Sequence, residues 1–156
     1  MSFIEEKIIP YKGLESFQFG DKLESVRALL KQQHIPFNQS MGQKEYSHPE
    51  LKRETIKIFD CIELYFLDGI LYFIGLENDF KGRLPNGICL GMNMNEVKLA
   101  DEELQYDEDE EVFVSPQGYS LADDIDTNMV SYIEVYVPEV ENDETYFEYN
   151  WLKKYR

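Results

Sequence analysis

The fifteen residues Ile62 to Leu76, IELYFLDGILYFIGL, decide the fold. Two β-rich runs flank Asp68-Gly69, a two-residue pair suited to a tight hairpin turn. Alternation along the pair sends Ile62, Leu64, Phe66, Leu71 and Phe73 toward a core. It sends Glu63, Tyr65, Tyr72 and Ile74 the other way. Upstream, Thr55 to Phe59 reads as a third strand.

Working outward, the hairpin belongs to a unit that occurs twice. Phe19-Gly20 is followed by Leu23 and Val26, and Leu90-Gly91 by Met94 and Val97. Ile62-Glu63-Leu64-Tyr65-Phe66 matches Ile133-Glu134-Val135-Tyr136-Val137. All these matches share a spacing of 71 residues, which argues for duplication. Each unit begins with a short strand, Leu14 to Phe19 or Ile88 to Leu90, closed by the glycine. A helix follows. Asp21 can cap the first, with Glu24 three residues on, and Leu23, Val26, Leu29 and Leu30 form its apolar stripe. Asn93 can cap the second, which ends near Leu104. Glu111 to Ser115, Met129 to Val137 and Thr145 to Trp151 read as strands of the second unit. Gly42 to Pro49 and Pro116 to Asn128 read as loops or irregular edges. The fold class is α+β: two repeated units, each a short strand, a helix and an antiparallel β-meander. They span 1–79 and 80–156 and pack as one compact domain.

At 156 residues with 43% hydrophobic content, the chain can bury a core without disulfides or metals. Its apolar runs are too short to span a bilayer. The acidic start, MSFIEEKIIP, is unlike a signal peptide, so a cytoplasmic location is expected. Cys61 and Cys89 read as buried free thiols.

Charge is the strongest functional signal. The net charge is -16. Residues 1–78 carry 9 basic and 12 acidic side chains, and residues 79–156 carry 6 and 19. No Lys or Arg lies between Lys98 and Lys153, an interval holding 17 Asp and Glu residues. Such a field repels nucleic acid and anionic membrane and attracts basic partners. The candidate contact residues are Asp107, Glu108, Asp109, Glu110 and Glu111, then Asp123, Asp124 and Asp126. Glu63, Tyr65, Tyr72, Glu134 and Tyr136 join them as outward positions of the two sheets. Tyrosine offers large contact area at small entropic cost. The same tyrosines could instead pack against a neighbouring strand or the other unit.

Catalytic signals are missing. His34 and His48 lack partners at metal-ligand spacing. No nucleophile elbow, phosphate-binding glycine loop or zinc-protease motif occurs. Asp124, Asp126 and Asn128 open like a calcium loop, but Met129 and Val135 occupy the positions that need glycine and glutamate. Asp107 to Glu111 reads as a solvated run. No cofactor and no metal is expected.

Ile9-Pro10, Gly13, Phe19-Gly20 and the run Gly87-Ile88-Cys89-Leu90-Gly91-Met92 with Glu96-Val97 resemble a unit of small bacterial proteins. Those proteins open with a G-x-x-L-G-M turn and an E-V helix, followed by a β-meander. Some resemble immunity proteins that neutralise toxins delivered between bacteria. The tandem plan is also similar to the β-lactamase inhibitor protein. In the first unit Asp21 stands where the pattern has Met, and Ser25 where it has Glu. With the charge, the resemblance implies a non-catalytic immunity or inhibitor protein that covers a basic partner such as a bacterial toxin. The alternative is a small-molecule-binding protein or enzyme with a pocket between helix and sheet.

Overall fold

The structure is a computed structural model and describes residues 2–42 and 48–156. Strands β1 (Phe37–Met41), β2 (Arg53–Ile58), β3 (Ile62–Leu67) and β4 (Ile70–Glu77) follow helix α1 (Leu23–Gln32). Strands β5 (Gln105–Asp107), β6 (Val112–Ser115), β7 (Tyr119–Asp124) and β8 (Met129–Tyr136) follow helix α2 (Met94–Ala100). Helix α3 (Asp143–Glu148) and a 3-10 segment, Asn150–Tyr155, close the chain. The two meanders join through β4 and β8 into one antiparallel sheet, ordered β1-β2-β3-β4-β8-β7-β6-β5.

The two units are equivalent at their helix entries. Gly20 N donates to Leu71 O, and Gly91 N to Val130 O. Leu71 N donates to Asp21 O, and Val130 N to Met92 O. Leu23 N donates to Gly69 O, and Met94 N to Asn128 O. Gly20 and Gly91 both take a positive φ, which L-residues with a side chain avoid. The helices therefore keep the spacing of 71 that the sequence shows.

The strands do not keep it. Both hairpins carry a bulge, between Tyr65 and Phe66 and between Ala122 and Asp123, which matches β3 to β7 and β4 to β8. Ile62 to Phe66 thus belongs to a third strand and Ile133 to Val137 to a fourth. Their similarity reflects two buried strands with the same alternation. The pairing of β4 with β8 sets Phe73 opposite Tyr136, Gly75 opposite Glu134 and Glu77 opposite Tyr132. Exchanging the units maps this ladder onto itself, so a pseudo-two-fold axis passes between Gly75 and Glu134.

One face of the sheet carries α1 and α2. Leu23, Val26 and Leu30 of α1 and Met94 and Val97 of α2 are buried with Ile56, Leu64, Ile74, Leu121, Ile133 and Val135. The N-terminal segment joins this core through Phe3, Ile8, Leu14 and Phe17. A second cluster forms on the opposite face, where Tyr149, Trp151 and Leu152 cover Leu67, Ile70, Tyr72 and Val137. Val137 therefore sits away from the helices, not among the inward residues that alternation places there. The bulge at Tyr72 likewise exchanges two expected directions. Ile74 enters the helix-side core, while Phe73 turns to the other face and packs against Tyr65.

Other expectations are corrected. Leu14 to Phe19 and Ile88 to Leu90 are extended or turning segments outside the sheet. The presumed loop Pro116 to Asn128 contains β7, and β1 precedes the other presumed loop, of which 43–47 lie outside the described residues. Thr145 to Trp151 is no strand: Thr145 to Glu148 belong to α3, whose cap Asn142 accepts from Thr145 N at 3.3 Å, Tyr149 is left-handed, and Asn150 and Trp151 begin the 3-10 segment. The first helix is entered through Lys22, and Asp21 instead accepts from Gln18 N at 2.9 Å. Helix α2 stops at Ala100, with Asn93 as its cap, accepting from Asn95 N at 2.8 Å. Among the described residues no helix is long and apolar enough to cross a membrane.

Candidate binding cleft

The face opposite α1 and α2 is only partly covered by the C-terminal segment, and beside that segment lies a cleft of about 1100 Å³. Its floor is aromatic. Phe73 of β4 and Tyr136 of β8 stack with ring centroids 5.7 Å apart at 23°. The Tyr136 hydroxyl is 2.9 Å from Ser120 Oγ on β7. Tyr146 and Phe147 of α3 continue the aromatic surface, and Phe147 is 48% exposed.

The walls are acidic. Glu102 and Glu103 from the α2–β5 link, with Asp107 at the end of β5 and Asp109 and Glu110 from the β5–β6 turn, form one side. Glu141 and Asp143 stand on the other. No Lys, Arg or His lines the cleft among the described residues.

Buried polar contacts hold these walls. Asp101, 3% exposed, accepts from Ser115 Oγ at 2.6 Å, Tyr119 Oη at 2.5 Å and Glu103 N at 3.1 Å. Burial alone would raise the Asp101 pKa, but the hydrogen bonds from Ser115 and Tyr119 outweigh it and hold the carboxyl below its usual range. Asp107 Oδ1 accepts from the backbone N–H groups of Asp109 and Glu110 at 3.0 and 3.3 Å, shaping the turn. Across the cleft, Tyr11 donates to Glu141 Oε1 at 2.7 Å. Burial first, and Glu141 second, push the Tyr11 hydroxyl up to about 12, so it stays a donor at neutral pH.

Glu134 lies on the same sheet face, between Tyr132 and Tyr136 along β8. Ser120 and Gly75 are its neighbours across the ladders. Burial pushes its carboxyl up to about 7, and the charge of Glu110 adds to this. The ring of Tyr132 fills the space above Gly75, where an added Cβ would collide with the Tyr132 hydroxyl. Burial also pushes Tyr65 and Tyr136 to about 12, so both act as neutral phenols.

The structure gathers some of the sequence-derived candidates and scatters others. Tyr72, Asp107, Asp109, Glu110 and Tyr136 line the cleft. Glu63, Tyr65 and Glu134 share the sheet face beside it, while Glu108 and Glu111 flank its acidic turn outside the lining. Tyr72 is largely covered by Tyr146 and Trp151. Tyr65 and Tyr136 both pack on Phe73. Asp123 and Asp124 end β7 and Asp126 lies in its turn to β8, and none of them lines the cleft. Sequence reading missed Phe73, Glu102, Glu103, Glu141, Asp143, Tyr146 and Phe147. The cap at Asn142 was the signal that could have placed the last three on a helical segment.

Other candidate chemistry is dispersed. Cys61 is buried, with its thiol pushed up to about 11 by burial, and Cys89 is half-buried. His48 contacts Glu50 at 3.3 Å and packs on Tyr149. Among the described residues no group of three His, Cys, Asp or Glu side chains is arranged to hold a metal ion. The space between helices and sheet is apolar core, so the cleft lies on the other side from a helix–sheet pocket. Comparison with protein-family models, with curated proteins and with solved structures returned no match.

Proposed function

We propose that this chain is a non-catalytic binding protein of the immunity or inhibitor type, whose cleft takes a basic segment of a protein partner. The observation that supports this reading is the cleft's lining: among the described residues, seven carboxylates over an aromatic floor, without a cation. Carboxylates attract Lys and Arg over several ångströms, and aromatic faces hold the same cations at contact. A nuclease-like bacterial toxin is the simplest partner, since its substrate groove must be positive to hold phosphates. An acidic inhibitor lying across that groove would block the substrate.

The test is titration with a labelled peptide of alternating Arg and Gly, beside its Glu and Gly counterpart. The Arg peptide should bind, with an association rate that falls severalfold as salt rises from about 50 to about 500 mM. Joint Asp109→Asn, Glu110→Gln and Glu141→Gln substitution should slow association at low salt and leave the melting temperature unchanged. Equal binding of the two peptides, or an association rate indifferent to salt and to these substitutions, would refute the reading.

The convergence of carboxylates on one concavity also favours a second reading, a binder of small organic cations. Spermidine titrated in the same assay separates the two. Spermidine binding tighter than the Arg peptide, and lost in the triple variant, would favour the small ligand.

A further inference from the structure

Among the described residues the sheet ends in two unpaired edges, and they are built differently. The β5 edge is three residues long and runs into the acidic turn Asp107 to Glu111. Charge on an edge opposes the addition of another strand. The β1 edge is five residues long, Phe37-Asn38-Gln39-Ser40-Met41, and carries no charge in a chain of net charge -16.

The register shows which backbone groups β1 leaves open. Gly42 N donates to Arg53 O at 2.7 Å, and Met41 lies opposite Glu54. Alternation in an antiparallel ladder then turns the N–H and C=O groups of Asn38 and Ser40 toward β2. Those of Phe37, Gln39 and Met41 point away from the sheet. Pro36 falls in the inward set, so the missing proline donor does not blunt the outer edge.

This outer row is self-complementary. An antiparallel pairing centred on Gln39 sets Gln39 against its own copy and Phe37 against Met41 of the second chain. It forms roughly six backbone hydrogen bonds. Phe37, Gln39 and Met41 share one face of the strand, so each Phe37 ring meets a Met41 thioether, a favourable contact. Met41 is 65% exposed in the single chain.

Charge selects the same partner. Two copies of so acidic a chain repel unless their acidic halves stay apart. The β1 edge belongs to the half with 9 basic and 12 acidic residues, at the far end of the sheet from β5. With strands about 4.8 Å apart, the β5–β6 ribbon lies roughly 30 Å from that edge. That is several times the screening length of about 8 Å at physiological salt.

We propose that two chains form a symmetric dimer through antiparallel pairing of β1 with β1, giving one continuous sheet with an acidic cleft toward each outer end. The proposal stands independently of what the cleft binds.

Light scattering and small-angle X-ray scattering across a concentration series test it. An elongated particle of twice the 18.5 kDa chain mass is expected, with slowed amide exchange at Phe37, Gln39 and Met41. Rising salt should strengthen the dimer or leave it unchanged. Gln39→Pro removes an N–H that faces away from β2, so it should abolish the dimer while the monomer stays folded. Gln39→Lys sets like charges opposite each other and should weaken dimerisation at least about tenfold. A monomer at every concentration, or a dimer equally stable in both variants, would overturn the proposal.

Discussion

The two halves share a skeleton and divide the work differently. Both enter a helix through the same three backbone hydrogen bonds, and both build a bulged four-stranded meander. On the first half the C-terminal segment lies across the open face, and Trp151 and Tyr149 bury Tyr72 and Leu67. On the second half that face stays open and its margins carry the carboxylates. Equivalent backbones therefore do not imply equivalent surfaces. The helix side fixes the fold in both units, and the other side is free to differ.

The largest effects should fall where the units are equivalent. Leu64 of β3 and Leu121 of β7 occupy matching, fully buried positions. Replacing either by Ala should cost about 2–5 kcal/mol in denaturant melts. A loss at one site only would break the equivalence.

Next comes the segment that only the first half carries over its open face. Trp151→Ala should cost about 3 kcal/mol. Tyr106→Ala, at a 52% exposed site on the acidic edge, should stay within about 0.5 kcal/mol. Similar losses at the two would show that the tail is not an integral part of the core.

The third effect is a pH dependence confined to the centre of the sheet. Burial, helped by the charge of Glu110, holds the Glu134 carboxyl up at about 7 in the folded chain, above the ordinary carboxylate value of 4.5. The folded state then holds an extra proton between these values. Stability should fall as pH rises from about 4.5 to about 7, by about 3 kcal/mol, and level off above. Glu134→Gln should remove this component. A variant that keeps the full wild-type slope would place the titration elsewhere.

The smallest effect belongs to the surface. Glu24 and Arg27 pair at 3.4 Å on exposed α1, and Glu24→Ala should change stability by less than about 0.5 kcal/mol. A larger loss would mean that the helix side, too, depends on charge.

Some of this was legible in residue order. Asp68-Gly69 marked its hairpin, and Gly20 and Gly91 marked both helix entries, because these positions need conformations that few residues adopt. The strands β1 and β7 were not legible. Phe37 to Met41 and Tyr119 to Asp124 are rich in Asn, Ser, Gln and Asp, and their pairing depends on distant neighbours. Alternation failed at Tyr72, since a bulge leaves no mark in the pattern of apolar residues. The acidity of the second half was plain from its composition. Its focus was not, because residues 102–110 and 141–147 meet only through the order of the strands.

The pair at the pseudo-axis, Gly75 facing Glu134, has an evolutionary consequence. Two identical chains related by that axis would have to place the same residue on both sides of it. Two glutamates would set buried charges against each other, and two glycines would leave a hollow. A duplicated and fused gene escapes the constraint, because each copy can mutate alone. Here the first unit has glycine at this position, and the ring of Tyr132 occupies the space above it. The second unit carries a carboxylate, Glu134, at the matching position. The centre of the sheet is thus the place where the symmetry of the two units is broken.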